Sequence, residues 1–259
     1  MTVSYKPDEI MIIESARHIN DGEIVFAGTG LPLVAAMYAQ KTHAPHMCFV
    51  IETGPIAPQV LPVPTSVSDP KGMHRAAKLG TLREVLGCLL QRGLVDVGFL
   101  GGAQIDQFAN INSTVIGDYQ HPKIRFPGSG GANDIASHAK RILIICRHEK
   151  RRFPEKCAYI TSPGYLSGPE GRKEAGLKNA YPDITVVTDL AVMAVDKKTG
   201  QLQVTKLMPG VTLERVQENT GFPINAIPNP STVVLPTAED LRILREEVDP
   251  DGEYLGKED

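Results

Sequence analysis

One glutamate, Glu52, stands at a point of the chain where a carboxylate could take part in chemistry. It follows an apolar run, residues 47–51, that is typical of a buried strand, and it directly precedes Thr53 and Gly54, which are typical of a tight turn. A carboxylate at the carboxyl end of a strand would be partly withdrawn from water and would face the crevice in which open α/β sheets bind ligands. The alternative is a capping or salt-bridged glutamate on a surface turn, and the position alone does not decide between the two.

A glycine-rich turn at residues 128–131, with the sequence GSGG, precedes a predicted short helix. Backbone N–H groups in such a turn can converge on an anion or on the oxyanion of a developing tetrahedral intermediate. The turn lacks the lysine of a phosphate-binding P-loop, and its spacing differs from the GxGxxG pattern of dinucleotide-binding folds. It therefore predicts an oxyanion-binding role or, as the alternative, a purely structural turn.

Two further glycine turns follow predicted strands, at residues 28–30 (GTG) and at residues 101–102 (GG). Glycine has no side chain, so the backbone N–H groups of such turns can approach a ligand closely. Shortly after the second turn, Gln104 and Asp106 could form hydrogen bonds to a ligand or substrate in the crevice. As an alternative, they could satisfy the backbone groups of their own loop.

The elements around these residues alternate between apolar strands and amphipathic helices, which indicates an α/β fold with an open, mostly parallel sheet flanked by helices. Residues 196–200 have the composition of a hairpin turn, so a β-hairpin is expected in the C-terminal part, followed by helices. The predicted strands are residues 23–27, 47–51, 95–100, 141–146, 184–187, 191–195 and 202–207, and the predicted helices are residues 8–19, 31–40, 80–92, 213–219 and 238–247.

The chain of 259 residues contains 24 glycines and 20 prolines, which indicates a compact fold with many tight turns. Five of the prolines lie in residues 54–70 and predict an extended, semi-rigid loop directly after Glu52. Because the sequence shows no internal repeat and no low-complexity linker, residues 1–259 are expected to form a single domain. The last ten residues are expected to be a solvated tail.

Composition and charge argue against several functional classes. The chain has no tryptophan, only 5% aromatic residues and a net charge of -3, so it lacks the stacking platforms and the basic surface of nucleic-acid-binding proteins. No apolar run approaches the roughly 18 residues of a membrane span, and the N-terminus lacks the layout of a signal peptide. The four cysteines (Cys48, Cys88, Cys146 and Cys157) are scattered without metal-ligand spacing, which predicts no metal site and a reducing, cytoplasmic location.

Taken together, the motifs of this sequence resemble those of the family I coenzyme A transferases, and specifically the B chains of the glutaconate type. The resemblance extends in register over nearly the whole chain, although residues 55–94 depart from it. The matching motifs are GTGLPL (28–33), VIETG (50–54), FLGGAQID (99–106), NSTVIGDYQHPK (112–123), RFPGSGGAN (125–133), HEKRRF (148–153), TSPG (161–164), NTGF (219–222) and residues 244–250.

This resemblance implies a role for each candidate residue. Glu52, in the VIETG motif, matches the catalytic nucleophile of the family, and Gly130 matches the best oxyanion donor, with Gly131 as its neighbour. The GTG turn is expected to supply a second N–H group, from Thr29 or Gly30. The family moves coenzyme A between an acyl-CoA and a carboxylic acid, here expected to be a dicarboxylic acid, through a glutamyl-CoA thioester. Coenzyme A is a substrate in this chemistry, and no permanently bound cofactor or metal is expected.

The resemblance also implies a partner chain. Family enzymes built from separate chains form the active site where an α and a β subunit meet, so this β-type chain is expected to be active only with its α subunit, in an A2B2 or A4B4 assembly. Two alternatives stay open: a ring-opening acyl-CoA hydrolase of the same family, and a non-catalytic subunit that only stabilises its partner. The presence of Glu52 argues against a decarboxylase relative in which this glutamate is replaced.

Overall fold

The computed structural model describes residues 4–59, 62–66 and 68–256. Part of the predicted proline-rich loop (residues 60, 61 and 67) and the end of the predicted tail (residues 257–259) lie outside the described residues. The chain divides into two compact units: unit 1 comprises Met1–Phe99 and Val234–Asp259, and unit 2 comprises Leu100–Val233. The expectation that the whole chain forms a single domain stays a prediction.

The N-terminal part of unit 1 contains helices and short strands that alternate along the chain. In chain order these are α1 (Pro7–Ala16), β1 (Ile24–Phe26), α2 (Leu31–Lys41), β2 (Cys48–Val50), β3 (Pro55–Ile56), a 3₁₀ helix (Pro70–Met73), β4 (Lys78–Leu79), a π-helix (Glu84–Leu90) and β5 (Val97–Leu100). The strand order is β5-β1-β2-β3-β4, in which β1 is parallel to β5 and to β2, whereas β3 is antiparallel to β2 and β4. The strands and helices predicted before Glu52 are confirmed, although α1 ends at Ala16 rather than at residue 19.

The helices α1 and α2 supply much of the core of unit 1. Every residue from 9 to 16 in α1 is buried, as is every residue from 33 to 39 in α2. A helix that is apolar on nearly every side belongs in the interior of a domain. The buried carboxylate of Glu9 is compensated by Arg245, whose Nε lies 2.6 Å from Oε1, because an unpaired buried charge would be strongly destabilising.

The proline-rich stretch that follows β2 is more regular than the sequence predicts. Pro55 has no N–H group, but its carbonyl accepts a hydrogen bond from the N–H of Ile51 at 3.1 Å, so it occupies a position of the strand pair that needs no donor. The prediction of an extended, semi-rigid loop over residues 54–70 is therefore wrong at β3, where the extended chain is paired as a strand. The same pairing continues to β4, where Pro55 lies opposite Leu79.

Unit 2 contains two small antiparallel sheets and a larger mixed sheet. Its elements are β6 (Gln104–Ile105), β7 (Ile111–Asn112), β8 (Val115–Gly117), β9 (Pro122–Arg125), α3 (Ala132–His138), β10 (Arg141–Ile145), α4 (Gly171–Glu174), β11 (Asp183–Val187), β12 (Ala191–Asp196), β13 (Gln201–Leu207), α5 (Leu213–Glu218) and β14 (Asn225–Thr232). The small sheets are β6-β7 and β8-β9, and the larger sheet has the order β10-β11-β12-β13-β14. The pairs β10-β11 and β13-β14 are parallel, and the predicted hairpin β12-β13 is confirmed as antiparallel.

Three strand pairings in unit 2 are absent from the sequence prediction. The strand β14 contains Pro228 and Pro230, which argue against a strand when only the sequence is considered. It is accommodated because it lies at the edge of the sheet, where its register with β13 shifts between Val204 and Lys206. The pairs β6-β7 and β8-β9 are only two to four residues long, which is too short for a periodic pattern.

The C-terminal part of unit 1 contains α6 (Ala238–Arg242), a π-helix (Ile243–Val248) and an anchored end segment. The carboxylate of Asp249 accepts hydrogen bonds from three N–H groups, those of residues 253, 254 and 255, at 2.8 to 3.0 Å. Nζ of Lys6 donates to the carbonyls of Leu255 and Gly256, both at 3.1 Å. The expected solvated tail is therefore wrong for residues 250–256. The predicted α/β class is confirmed, and among the described residues no helix is long and apolar enough to cross a membrane.

Candidate active site

Glu52 lies on the tight turn that joins β2 to β3. The N–H of Gly54 donates to the carbonyl of Ile51 at 3.0 Å, which places Glu52 and Thr53 at the two central positions of the turn. Ile51 is only 4% exposed, whereas Glu52 is half-buried. Glu52 therefore lies where the apolar strand meets the surface.

Gly54 allows another part of the backbone to pack directly against this turn. Its φ is +127°, a conformation that side chains disfavour, and its carbonyl accepts a hydrogen bond from the N–H of Gly80 at 3.0 Å. A Cβ atom on Gly54 would lie 2.2 Å from the carbonyl oxygen of Gly80, closer than any real contact. The turn that carries Glu52 is therefore braced by the backbone just after β4.

The turn at residues 28–30 follows β1 and lies at the same edge of the sheet as Glu52, which follows β2. The two strands are parallel neighbours with Phe26 opposite Val50, and parallel strands have their carboxyl ends on one side. Thr29 is exposed, and Gly30, with a φ of +93°, precedes α2. The structure thus brings Thr29 and Gly30 to the edge that carries Glu52.

Tyr254 is a residue near this turn that the sequence did not single out. Its hydroxyl donates to the carbonyl of Pro64 at 2.9 Å. Burial raises the pKa of Tyr254, and the backbone N–H of Gly30, which interacts with the phenolic oxygen, opposes that increase. Tyr254 belongs to the segment expected to be a solvated tail, so no sequence signal pointed to it.

In unit 2, the turn at residues 128–131 presents two backbone donors. Gly128 and Gly130 have φ values of +100° and +47°, and Gly130 is exposed while Gly131 is buried. The N–H of Ala132 donates to the carbonyl of Ser129 at 2.9 Å. Across the described residues, the N–H groups of Gly130 and Gly131 have no assigned protein acceptor.

The side chains of Gln104 and Asp106 bond within unit 2. The amide oxygen of Gln104 accepts from Nδ2 of Asn112 at 2.8 Å and from the N–H of Ala158 at 3.1 Å. The carboxylate of Asp106 accepts from the N–H groups of Phe108 and residue 110, and its burial raises its pKa. These contacts match the loop-satisfying alternative, and a substrate-binding role for Gln104 stays a prediction.

Arg172 is the largest fully buried side chain of the described residues, and the sequence did not mark it. Burial lowers the pKa of its guanidinium to about 10, so the group is still charged at neutral pH. It is compensated entirely by backbone carbonyls, which tie the end of α3 to the TSPG segment. The acceptors are the carbonyls of Ala136, Ser137, Pro163, Gly164 and Asn179.

Replacing Arg172 by methionine is expected to lower the free energy of unfolding by about 3 kcal/mol or more, because the buried carbonyls lose their donors. Urea denaturation of the purified chain measures this change. Arg151, whose side chain is 83% exposed, offers a control, and Arg151→Met is expected to cost less than about 0.5 kcal/mol. Equal stability of the two variants would contradict a structural role for the buried guanidinium.

Among the described residues, no group of three or more histidine, cysteine, aspartate or glutamate side chains is arranged to hold a metal ion. The four cysteines are free, and burial raises the pKa of the Cys146 thiol to about 12. The cytoplasmic location inferred from their scatter stays a prediction.

Comparison with known proteins matches this chain to one family. The family profile described as Coenzyme A transferase matches residues 9–219, which include Glu52 and the glycine turns. The chain is 41% identical over 242 residues to the B chain of the 3-oxoadipate CoA-transferase of Pseudomonas knackmussii, covering 93% of each chain. It is 37% identical over 256 residues to the B chain of the glutaconate CoA-transferase of Acidaminococcus fermentans, covering 97% of this chain and 96% of the relative.

The fold also matches solved structures. Glutaconate coenzyme A-transferase from Acidaminococcus fermentans superposes with a TM-score of 0.91 at 36% identity, covering 100% of both chains. The decarboxylase AibA/AibB superposes with a TM-score of 0.83 at 23% identity, covering 98% of this chain and 100% of the other, a likeness that concerns the fold alone.

Proposed function

The chain belongs to the coenzyme A transferase family, and from this premise we propose that it is the β-type subunit of a two-subunit enzyme that works through a glutamyl-CoA thioester on Glu52. Family membership makes coenzyme A a substrate. The position of Glu52 carries the proposal: a half-buried carboxylate stands at the carboxyl end of β2, on a turn braced by Gly80. A surface capping role would not require such bracing.

The proposed cycle consists of acyl transfers. The carboxylate of Glu52 attacks the carbonyl carbon of the acyl-CoA and forms a C–O bond. The C–S bond then breaks, so that coenzyme A leaves as a thiolate and an acyl-glutamyl anhydride is formed. The thiolate then attacks the glutamyl carbonyl, expels the first acid as its carboxylate and forms the glutamyl-CoA thioester. A second carboxylate repeats these steps in reverse. No proton, electron or water is consumed, so the cycle needs no further cofactor.

Each transfer passes through a tetrahedral oxyanion, for which we propose Gly130 as the principal donor and Gly131 as its neighbour. Among the described residues neither N–H group has an assigned acceptor, and losing one such donor costs about 2.7–4 kcal/mol of transition-state stabilisation. The GTG turn would supply the second donor. Thr29 and Gly30 are the two candidates for it.

We propose a dicarboxylic acid as the substrate. The relatives at 41% and 37% identity are named for 3-oxoadipate and glutaconate, and both acids carry two carboxylates. The sequence motifs predict that residues 55–94 depart from the glutaconate-type pattern, and this stretch includes Gly80, which is bonded to the Glu52 turn. We therefore place the choice of acid in this stretch.

We propose that activity requires an α-type partner chain, in an A2B2 or A4B4 assembly. The names of both relatives describe one chain of an enzyme with more than one kind of chain, which supports a partner for this one. The hydrolase alternative would use the same anhydride, with water as the second nucleophile in place of the thiolate. The two reactions differ in whether an acceptor acid is needed.

The thioester is tested by incubating the complete complex with the CoA ester of 3-oxoadipate in the absence of an acceptor acid. Borohydride reduction followed by peptide mass analysis is expected to locate an alcohol at Glu52, because a thioester is reduced while a free carboxylate is not. The CoA esters of glutaconate and acetate test the acid, and acetate is expected to react more slowly than the two dicarboxylates.

The chain without its partner is expected to form no thioester. An unmodified Glu52 peptide under turnover conditions would refute the proposed mechanism. Steady release of free acid and coenzyme A without an acceptor would instead support the hydrolase.

A further inference from the structure

Thr161 is buried, and its hydrogen bonds connect it to residues on both sides of the turn at residues 128–131. It is 5% exposed, and its N–H donates to the carbonyl of Ile111 at 2.8 Å. It is the first residue of the TSPG motif, to which the function proposed above assigns no role. Its hydroxyl is connected by hydrogen bonds to the start of the glycine turn, and its carbonyl is bonded to a residue shortly after the end of the turn.

The hydroxyl of Thr161 holds Ser113, which in turn holds the first glycine of the turn. Oγ1 of Thr161 accepts from the N–H of Ser113 at 2.8 Å and lies 2.7 Å from Oγ1 of Thr114. The carbonyl of Ser113 accepts from the N–H of Gly128, and its Oγ donates to the carbonyl of Gly128, both at 3.0 Å. Both backbone polar groups of Gly128 are therefore bonded to one residue that Thr161 positions.

The carbonyl of Thr161 holds the other end of the turn. Asn133, in the first turn of α3, donates from Nδ2 to this carbonyl at 2.8 Å, and its N–H donates to Oγ of Ser129 at 3.1 Å. Gly130 and Gly131 lie between these two attachments. The backbone that carries the N–H groups of Gly130 and Gly131 is thus held on both sides by hydrogen bonds that connect to Thr161.

We propose that Thr161 is a positioning residue that sets the direction of the Gly130 and Gly131 N–H groups; this rests on the proposed function, in which those groups bind the oxyanion. A glycine turn has many accessible conformations, so its own sequence does not hold its donors in one orientation. An oxyanion site is effective only when its donors are oriented before the charge develops. The bonds through Ser113 and Asn133 supply that orientation from outside the turn.

The test compares Thr161 variants in the complete complex, with the CoA ester of 3-oxoadipate as the donor. Thr161→Val keeps the shape of the side chain but removes Oγ1, and it is expected to lower kcat by about 10- to 100-fold, since a small displacement of catalytic groups has effects of this size. KM is expected to change by less than about threefold, because the lost contact acts in the transition state. Thr161→Ser restores Oγ1 and is expected to keep kcat within about threefold of the wild type.

A control is Thr205→Val, because Oγ1 of Thr205 also bonds to the backbone of unit 2, here by donating to the carbonyl of Val192 at 3.0 Å. This variant is expected to leave kcat unchanged. Ser113→Ala is expected to lower kcat as well. Combining it with Thr161→Val is expected to cost no more than the larger single effect, since both variants break one chain of contacts.

The rate of thioester formation on Glu52 separates the possible failures. A wild-type complex that forms no thioester would overturn the proposed function, and with it the role of the turn. If the wild type forms the thioester and Thr161→Val forms it equally fast, only the positioning role is overturned. If Thr161→Val is too unstable to purify, two other results would overturn the positioning role. One is an unchanged kcat in Ser113→Ala, and the other is a kcat of Thr161→Ser more than about tenfold below that of the wild type.

Discussion

Replacing Glu52 by glutamine is expected to lower kcat by at least about 10⁴-fold, because the amide cannot form the anhydride through which the acyl group leaves coenzyme A. Glu52→Asp is expected to lower kcat by at least about 100-fold, since the carboxylate is withdrawn by one methylene from the position of attack. Steady-state turnover of the complete complex measures both effects. Thermal unfolding of the same samples is expected to show little change, because Glu52 is only half-buried.

Glu23 provides the matched control for this prediction. It is a half-buried glutamate of unit 1 whose carboxylate accepts from the N–H and from Nδ2 of Asn20, at 2.9 and 3.0 Å, as a turn-stabilising glutamate would. Glu23→Gln is expected to leave kcat within about twofold of the wild type. If Glu52→Gln behaves like Glu23→Gln, the chain is the non-catalytic stabilising subunit instead.

Gly54→Ala is expected to lower the free energy of unfolding by about 3 kcal/mol or more and to reduce kcat by at least about 100-fold. The new Cβ would lie 2.2 Å from the carbonyl oxygen of Gly80 and 2.7 Å from its carbon, and both are backbone atoms that cannot rotate away. The turn that carries Glu52 must then move. Urea denaturation and turnover of the complete complex measure the two effects.

Gly22→Ala separates this clash from the strain of the backbone alone. Gly22 also has a positive φ, +81°, but no atom lies within 4 Å of its built Cβ. This variant is expected to cost about 1 kcal/mol from its φ and to leave kcat unchanged. A Gly54→Ala enzyme as stable and as active as Gly22→Ala would show that the contact with Gly80 does not position Glu52.

The parts of the fold that the sequence predicts well are those with strong local patterns. The apolar runs of β1, β2 and β10 are bounded by turn residues, and the hairpin β12-β13 encloses residues 196–200. Each of these signals lies within about ten consecutive residues, so a periodicity or a turn composition reveals it. Glu52 was found in the same way, because an apolar run and a Thr-Gly turn flank it directly.

Other features depend on contacts that no local periodicity or turn composition shows. Pro55 and the prolines of β14 argue against strands when only the sequence is considered. In the structure, Pro55 contributes only its carbonyl to the pairing with β2, and the register between β13 and β14 shifts. The end segment is anchored because Lys6 meets Leu255, 249 residues away. No short window of the sequence contains both Lys6 and Leu255.

Neighbouring residues alone specify the α/β class, the glutamate at the end of β2 and the glycine turns, so the amino-acid sequence is enough to predict them. The contacts around these groups emerge only in the folded chain: Gly80 bonds to Gly54 in unit 1, and Thr161 bonds to Ser113 and Asn133 on either side of the turn at residues 128–131 in unit 2. The two kinds of feature differ in the range of the interactions behind them. Chemical identity and local conformation follow from adjacent residues, whereas the orientation of a backbone donor depends on hydrogen bonds to residues that only folding brings near.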